Sequence, residues 1–394
     1  MLTPSPETKA ICERVARFIE QNLYPLEEEF LSYNWNDKWW EKLQELRRKV
    51  QGDGLWGLCL PKEFGGKALD IYQFSYIAEQ LGRSPLGHYI FGCQAPDLGN
   101  IELLHQWGSR EQKQRFLDPL VKGELRSCFG MTERQTAGSN PTLLKTRAEK
   151  IDGGYRINGE KWFTTSADGA AFCIVMAVTD PEASPHQRAS MFLVPTDQEG
   201  FHLVQNISVM GHRGTGYFSH GELSLKDCIV GDESLIGERG RGFLLAQDRL
   251  GPGRIHHCMR WLGICQRVFQ MICERAMSRE ISSSKRLADS DVIKSWIAEL
   301  KCDIHSARLM VLDAAYKLSQ GHGAKDEISM IKFYVASVLA RVLDKGVQVH
   351  GALGMTDETV ISFYYREERA SRIYDGPDEV HKLSIAKRVL HDHR

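Results

Sequence analysis

The hydrophobic period of the chain changes twice, from helical to extended near residue 126 and back to helical near residue 237, and this double switch restricts the fold more than any other feature. Before the first switch, Ser5-Pro6-Glu7 offers a capping hydroxyl, a proline at the first helical position and an acid in the first turn. Ile11, Val15, Phe18, Ile19 and Leu23 then draw one apolar stripe on a helical cylinder, and further helices are predicted over 38–50, 71–81 and 110–121. Between the switches, LKTRAEK and YRINGEKWF flank Asp152-Gly153-Gly154 in the pattern of a hairpin, and AFCIVMAV, ASMFLV, FHLV and HGELSL continue as short β-rich runs. After the second switch, Ile293, Trp296, Ile297, Leu300, Ile304, Ala307 and Val311 recur at three- and four-residue spacings. A chain of 394 residues exceeds what one core serves. The expected fold is therefore α+β and multidomain: an N-terminal α-helical domain over 1–125, a middle β-barrel or sandwich over 126–236 and a C-terminal α-helical bundle over 237–394.

Charge and motifs narrow the function. Fifty basic side chains face fifty-one acidic ones without long runs of one sign, so no electrostatic footprint for nucleic acid or an anionic membrane is visible. The segment GERGRGF, residues 237–243, breaks the dinucleotide pattern at Leu245 and follows a β-domain rather than opening a βαβ unit. No metalloprotease, EF-hand or nucleophile-elbow motif occurs, and no metal site is expected. Ten cysteines lack a C-x-x-C pair, which fits a reducing compartment; Cys258, Cys265 and Cys273 share a helical face and read as core. No stretch has the form of a leader peptide or the length of a membrane-spanning helix. The expected location is the cytoplasm for a bacterial chain and the mitochondrion or peroxisome for a eukaryotic one.

Near the C-terminus, RIYDGPDEVH, residues 372–381, places Asp375 between an aromatic residue and a Gly-Pro corner. Asp-Gly and Gly-Pro pairs are turn punctuation, so by itself Asp375 reads as a turn residue, with a catalytic carboxylate as the alternative.

Six segments, in order, carry a resemblance. They are GLCLPKEFGG, CFGMTERQTAGSN, INGEKWFTTSA, RLGPGRIHHCMR, QVHGALG and RIYDGPDEVH, and together they span nearly the whole chain. The chain resembles the acyl-CoA dehydrogenase family, most of all its long-chain branch with members fused to kinase-like domains. The resemblance implies FAD and an acyl-CoA substrate: a carboxylate takes the α-proton while the β-hydrogen leaves as hydride to flavin N5. It puts Asp375 at the position of the family's usual glutamate, and so in the role of base. It further implies that Met131, Thr132, Gly138, Ser139, Phe163 and Thr165 contact the flavin or its phosphates. Arg279, Gln348, Gly351 and Gly354 would approach the cofactor of a neighbouring subunit. Gly376, Pro377 and Asp378 complete the cofactor set, and Ser139, Arg254 and Gly376 the substrate set. At most one of His256 and His257 can face the substrate, because adjacent helical residues diverge.

A homodimer or homotetramer and an electron-transferring flavoprotein as acceptor follow from the same resemblance. Three departures stand out. Asp375 is one carbon–carbon bond shorter than glutamate, roughly 1.5 Å; Arg134 replaces a proline; and Ser290-Asp291 replaces a run that contacts pyrophosphate. An FAD oxidase of the nitroalkane-oxidising type and a non-catalytic, DNA-associated relative are the alternatives.

Overall fold

The computed structural model describes residues 3–393, apart from the side chain of Pro252. Residues up to Phe91 together with those from 252 on form one compact unit, and Gly92–Gly251 form a second.

The second unit is built on a sheet. Its strands are β1 (Ser127–Gly130), β2 (Arg147–Ile151), β3 (Gly154–Thr165), β4 (Phe172–Val178), β5 (Ala189–Pro195), β6 (Phe201–Asn206), the short ladder of β7 (Ser208–Val209) with β8 (His212–Arg213), β9 (His220–Gly231) and β10 (Leu235–Ile236). The main sheet runs β10-β5-β4-β2-β3-β9-β6, with β1 added in parallel to β4. The hairpin read at Asp152-Gly153 is the antiparallel β2–β3 pair, in which Ile151 faces Gly154 and Gly153 takes a left-handed φ of 69°. Side chains from β1 to β6, β9 and β10, among them Cys128, Ile157, Val175, Phe192, Phe201 and Leu223, bury one shared core, so the sheet is curled around it. The helix Asp97–Trp107 is locked to β1: Asp97 Oδ1 accepts from the Ser127 amide at 2.8 Å and hydroxyl at 2.6 Å.

The first unit is helical. Ser5 caps Pro6–Phe18 by accepting from the Thr8 amide, and Ile11, Val15, Phe18, Ile19 and Leu23 are all buried. The helices Asp37–Gly52 and Ile71–Leu81 match two predicted ones, whereas the third, which belongs to the second unit, is divided among Arg110–Gln112, a π-turn over Lys113–Leu117 and Asp118–Val121. The long helix Lys325–His350 packs against both Asp291–Ser319 and the later helix Asp378–Asp392. The Gly-Pro-Gly run at 251–253 is helical and lies inside Gly242–Ser278.

Cys258 and Cys265 are buried as expected, and burial pushes the Cys258 thiol up to about 12, which leaves it a packing residue. No helix among the described residues is long and apolar enough to cross a membrane.

Candidate active site

Asp375 is presented by a strained corner. The chain turns through short 3-10 geometry over Glu368–Arg372, the Tyr374 amide closes onto Ala370 O at 3.1 Å, and Asp375 then enters the left-handed region at φ 53°. Aspartate tolerates this region better than most residues, at a cost of about 1–2 kcal/mol. Gly376 follows at φ 97°, and a Cβ there would stand 2.8 Å from His381 Nε2, so both backbone and space require glycine. Pro377 then leads into the helix Asp378–Asp392.

Several side chains hold this corner. Arg254 Nε donates to the Asp375 carbonyl at 3.0 Å, and His381 Nε2 approaches the same oxygen at 3.2 Å. Lys332 is fully buried, and its Nζ donates to the carbonyls of Ser371 at 2.7 Å and Gly376 at 3.3 Å. Burial lowers the pKa of Lys332 and Arg254, and in both cases the Asp375 carboxylate works in the other direction. His381 is driven down to about 4 by burial, against the favourable pull of the Asp375 carbonyl. Tyr374 is anchored through its hydroxyl, which accepts from Arg260 at 3.0 Å and Trp261 at 3.1 Å, and Arg260 also holds Glu368 with both of its terminal nitrogens.

His257 Nε2 lies 3.2 Å from Asp375 Oδ2, each side chain about one-fifth exposed. His256 points elsewhere, edge-on to Phe74 with centroids 5.4 Å apart. The two histidines diverge as expected for neighbours on a helix. Arg254 and His257, three residues apart, meet the main chain and the side chain of the same aspartate.

The segments read as flavin-facing come together in the sheet unit. The Trp162 amide donates to Thr132 O at 2.8 Å, joining the two segments, and a Cβ on Gly138 would lie 3.5 Å from Thr132 Cγ2. Phe163 is strained, with φ 52°, and keeps 40% of its surface exposed, unusual for a phenylalanine in a strand. Thr165 Oγ1 meets His220 Nδ1 at 3.0 Å. Met131 and Thr132 are half-buried, while Ser139 is exposed.

Beneath these residues lies a buried ion pair that sequence reading did not find. Glu133 accepts from Lys161 Nζ at 3.0 Å, from the Thr146 hydroxyl at 2.7 Å and from the amides of Lys145 and Thr146. Lys161 also donates to Met131 O at 3.2 Å. Burial raises the Glu133 carboxyl, but Lys161 and the Thr146 and Lys145 donors more than offset it and hold it below the ordinary range. The pair thus fixes the loop that carries Met131 and Thr132. Arg134, the proline replacement, pairs with Glu222 at 2.7 Å and lies over the Trp162 ring.

Other expected residues are placed apart from Asp375's immediate contacts. Arg279 is exposed just past the end of Gly242–Ser278. Gln348 and Gly351 are exposed at the end of Lys325–His350, and Gly351 has φ 63°. Asp378 is buried, with Oδ2 on Arg372 at 2.7 Å and Oδ1 without a hydrogen-bond partner. Asp291 opens its helix and pairs with Lys294 at 3.2 Å, a favourable place for an acid at a helix N-terminus. Among the described residues no cluster could hold a metal ion.

Comparison with known proteins shows the family. Three family models match in order: the acyl-CoA dehydrogenase N-terminal domain over 5–124, middle domain over 128–228 and C-terminal domain over 240–390. Mouse "Acyl-CoA dehydrogenase family member 10" is 39% identical over 98% of the chain, which spans 37% of that protein's length. "Probable acyl-CoA dehydrogenase FadE2" of Mycobacterium tuberculosis is 39% identical over 88% of the chain and 85% of its own. A solved structure from Mycobacterium abscessus, assigned to the acyl-CoA dehydrogenases, superposes with a TM-score of 0.95 at 33% identity, covering all of both chains. With helical first and last domains around a sheet, a motif-bearing loop on each compact unit and relatives of this similarity, the chain belongs to the acyl-CoA dehydrogenase family.

Proposed function

We propose that the chain catalyses FAD-dependent α,β-dehydrogenation of an acyl-CoA thioester, with Asp375 as the base. The observation that carries this reading is the Asp375 corner. A carboxylate is held in left-handed backbone at φ 53° by side chains on its own carbonyl and on its neighbours', more fixation than an ordinary turn requires.

The residues of the sheet unit fit a flavin. Phe163 offers an exposed aromatic face on strained backbone, hydroxyls stand on Thr132 and Thr165, and the Glu133–Lys161 pair stiffens the loop between them. Met131, Thr132, Gly138, Ser139, Phe163 and Thr165 are the proposed FAD contacts of this unit; Arg279, Gln348, Gly351, Gly376 and Pro377 are the cofactor residues proposed by the family resemblance in the helical unit, the first three toward a neighbouring subunit of a homodimer or homotetramer. Asp378, with its carboxylate turned to Arg372, would contribute through its main chain. Bound FAD supplies the hydride acceptor.

The chain's own residues supply the proton chemistry. Asp375 breaks the α-C–H bond by taking the proton onto its carboxylate, and the electron pair released forms the double bond as the β-hydrogen departs as hydride. The Asp375 amide is the proposed donor to the thioester oxygen, where negative charge develops. Arg254 and His381 on the Asp375 carbonyl fix the plane of the corner that carries this amide's neighbour and the carboxylate. An electron-transferring flavoprotein is the proposed acceptor.

An anaerobic screen of acyl-CoA thioesters of graded length against the FAD-loaded protein tests this reading. Bleaching of the flavin by at least one thioester is expected. Bleaching by nitroalkanes and by no thioester would replace it with the oxidase reading.

A further inference from the structure

The close approach of His257 to the Asp375 carboxylate carries an inference beyond the assignment of the base, and it rests on that assignment. Arg254, His381 and Lys332 bind main-chain carbonyls of the corner, whereas His257 meets the carboxylate itself, Nε2 to Oδ2 at 3.2 Å. A carboxylate can only accept, so a hydrogen bond across this contact would be donated by Nε2.

The imidazole is not free to follow the aspartate. Its ring stacks on Trp261, with centroids 6.0 Å apart at 23°, and lies against Tyr374 at 5.0 Å. Those two rings are tied together by the Trp261 Nε1 bond to the Tyr374 hydroxyl at 3.1 Å. His257 is thus the fixed side of this contact and the short Asp375 side chain the movable one. A base must point at the proton it removes, and misplacement of a reacting group by about 1 Å can cost on the order of a hundredfold.

We infer that His257 is a positioning residue for Asp375: it sets the direction of the carboxylate so that an aspartate, rather than a longer side chain, reaches the α-proton. When Asp375 takes that proton, a C–H bond breaks and an O–H bond forms on the carboxyl group. His257 keeps its own proton throughout, and its bond to the aspartate weakens as the negative charge is neutralised.

Two substitutions separate positioning from packing. His257→Phe keeps a ring between Trp261 and Tyr374 but removes the donor; His257→Gln loses the ring but keeps an N–H at similar reach. The measurements are the rate of anaerobic flavin reduction at saturating acyl-CoA, KM and FAD content. For His257→Phe the rate should fall about ten- to a hundredfold, the kinetic equivalent of one hydrogen bond to a charged group. Its KM should change little and FAD content should be unchanged. His257→Gln should recover most of that loss, to within about fivefold of the parent, because the donor is restored.

A second readout is the crystal structure of His257→Phe, in which the Asp375 carboxylate should leave its parental direction. A parental rate in His257→Phe, or equal losses in both variants, would overturn the inference. Should His257→Phe fail to retain flavin, His257→Leu takes its place with the same expectation. The base assignment fails differently: through parental reduction rates in Asp375→Asn, whatever the His257 variants do.

Discussion

Asp375 occupies the corner that its local sequence announced, at φ 53°, with its carboxylate 3.2 Å from His257 Nε2. The turn was legible from Asp-Gly-Pro; the proposed role of base came from the family resemblance and not from the local residues, because the partners that hold the corner come from far along the chain. Arg254 lies 121 positions away, and Lys332 reads as an ordinary solvated lysine on an amphipathic helix although it is fully buried. Lys161 was missed for the same reason, since a lysine between strand residues gives no sign that a carboxylate awaits it. The shortness of Asp375 has a testable consequence. Its carboxylate already touches His257 at 3.2 Å, so the added methylene of Asp375→Glu would drive the carboxylate out of that bond. The variant should fold and hold FAD but reduce it about a hundredfold more slowly; stopped-flow reduction within a fewfold of the parent would show that the corner has room for the longer side chain.

Among the elements, the amphipathic helices and the β2–β3 hairpin were legible because one face of each is buried and periodicity records that face. Parallel pairing of β1 with β4 was not, since it joins segments 45 positions apart with β2 and β3 between them in the chain. Nor was the continuity of the helix Gly242–Ser278 through Gly251 and Gly253, where local chemistry favours a break. Its glycines are not equivalent. A Cβ on Gly253 meets nothing within 4 Å, whereas one on Gly263 would lie 2.1 Å from Glu79 O and 2.7 Å from Gly82 Cα, where the helix Ile71–Leu81 ends against it. Gly253→Ala should therefore stabilise the protein by up to about 1 kcal/mol. Gly263→Ala should destabilise it by about 1–3 kcal/mol or more. Urea unfolding midpoints check both, and the same sign for the two would contradict the packing described.

For the whole molecule, the α, β, α order was readable from the sequence, while the compact unit Gly92–Gly251 takes in helices that sequence alone assigns to the first domain. Bonds such as Asp97 to Ser127 explain this, and nothing local announces them. Buried histidines make the stability of the helical unit depend on pH. Burial lowers the pKa of His88 well below 6.5, lowers that of His350, and brings His381 to about 4. Each binds its proton more weakly folded than unfolded, so unfolding takes up protons: the contribution is complete above about 6.5 and is lost as pH falls toward 4. The melting temperature should fall steadily over that window, and His381→Asn should flatten part of the decline; a melting temperature independent of pH there would contradict the assignment. The central claim, that Asp375 removes the α-proton, is tested most directly by anaerobic flavin reduction in Asp375→Asn. Asparagine keeps the size and the tolerance for left-handed backbone while removing the base. FAD and acyl-CoA should bind as in the parent, and reduction should slow by about a hundred- to ten-thousandfold. Reduction at a near-parental rate would contradict the claim and leave Asp375 a turn residue.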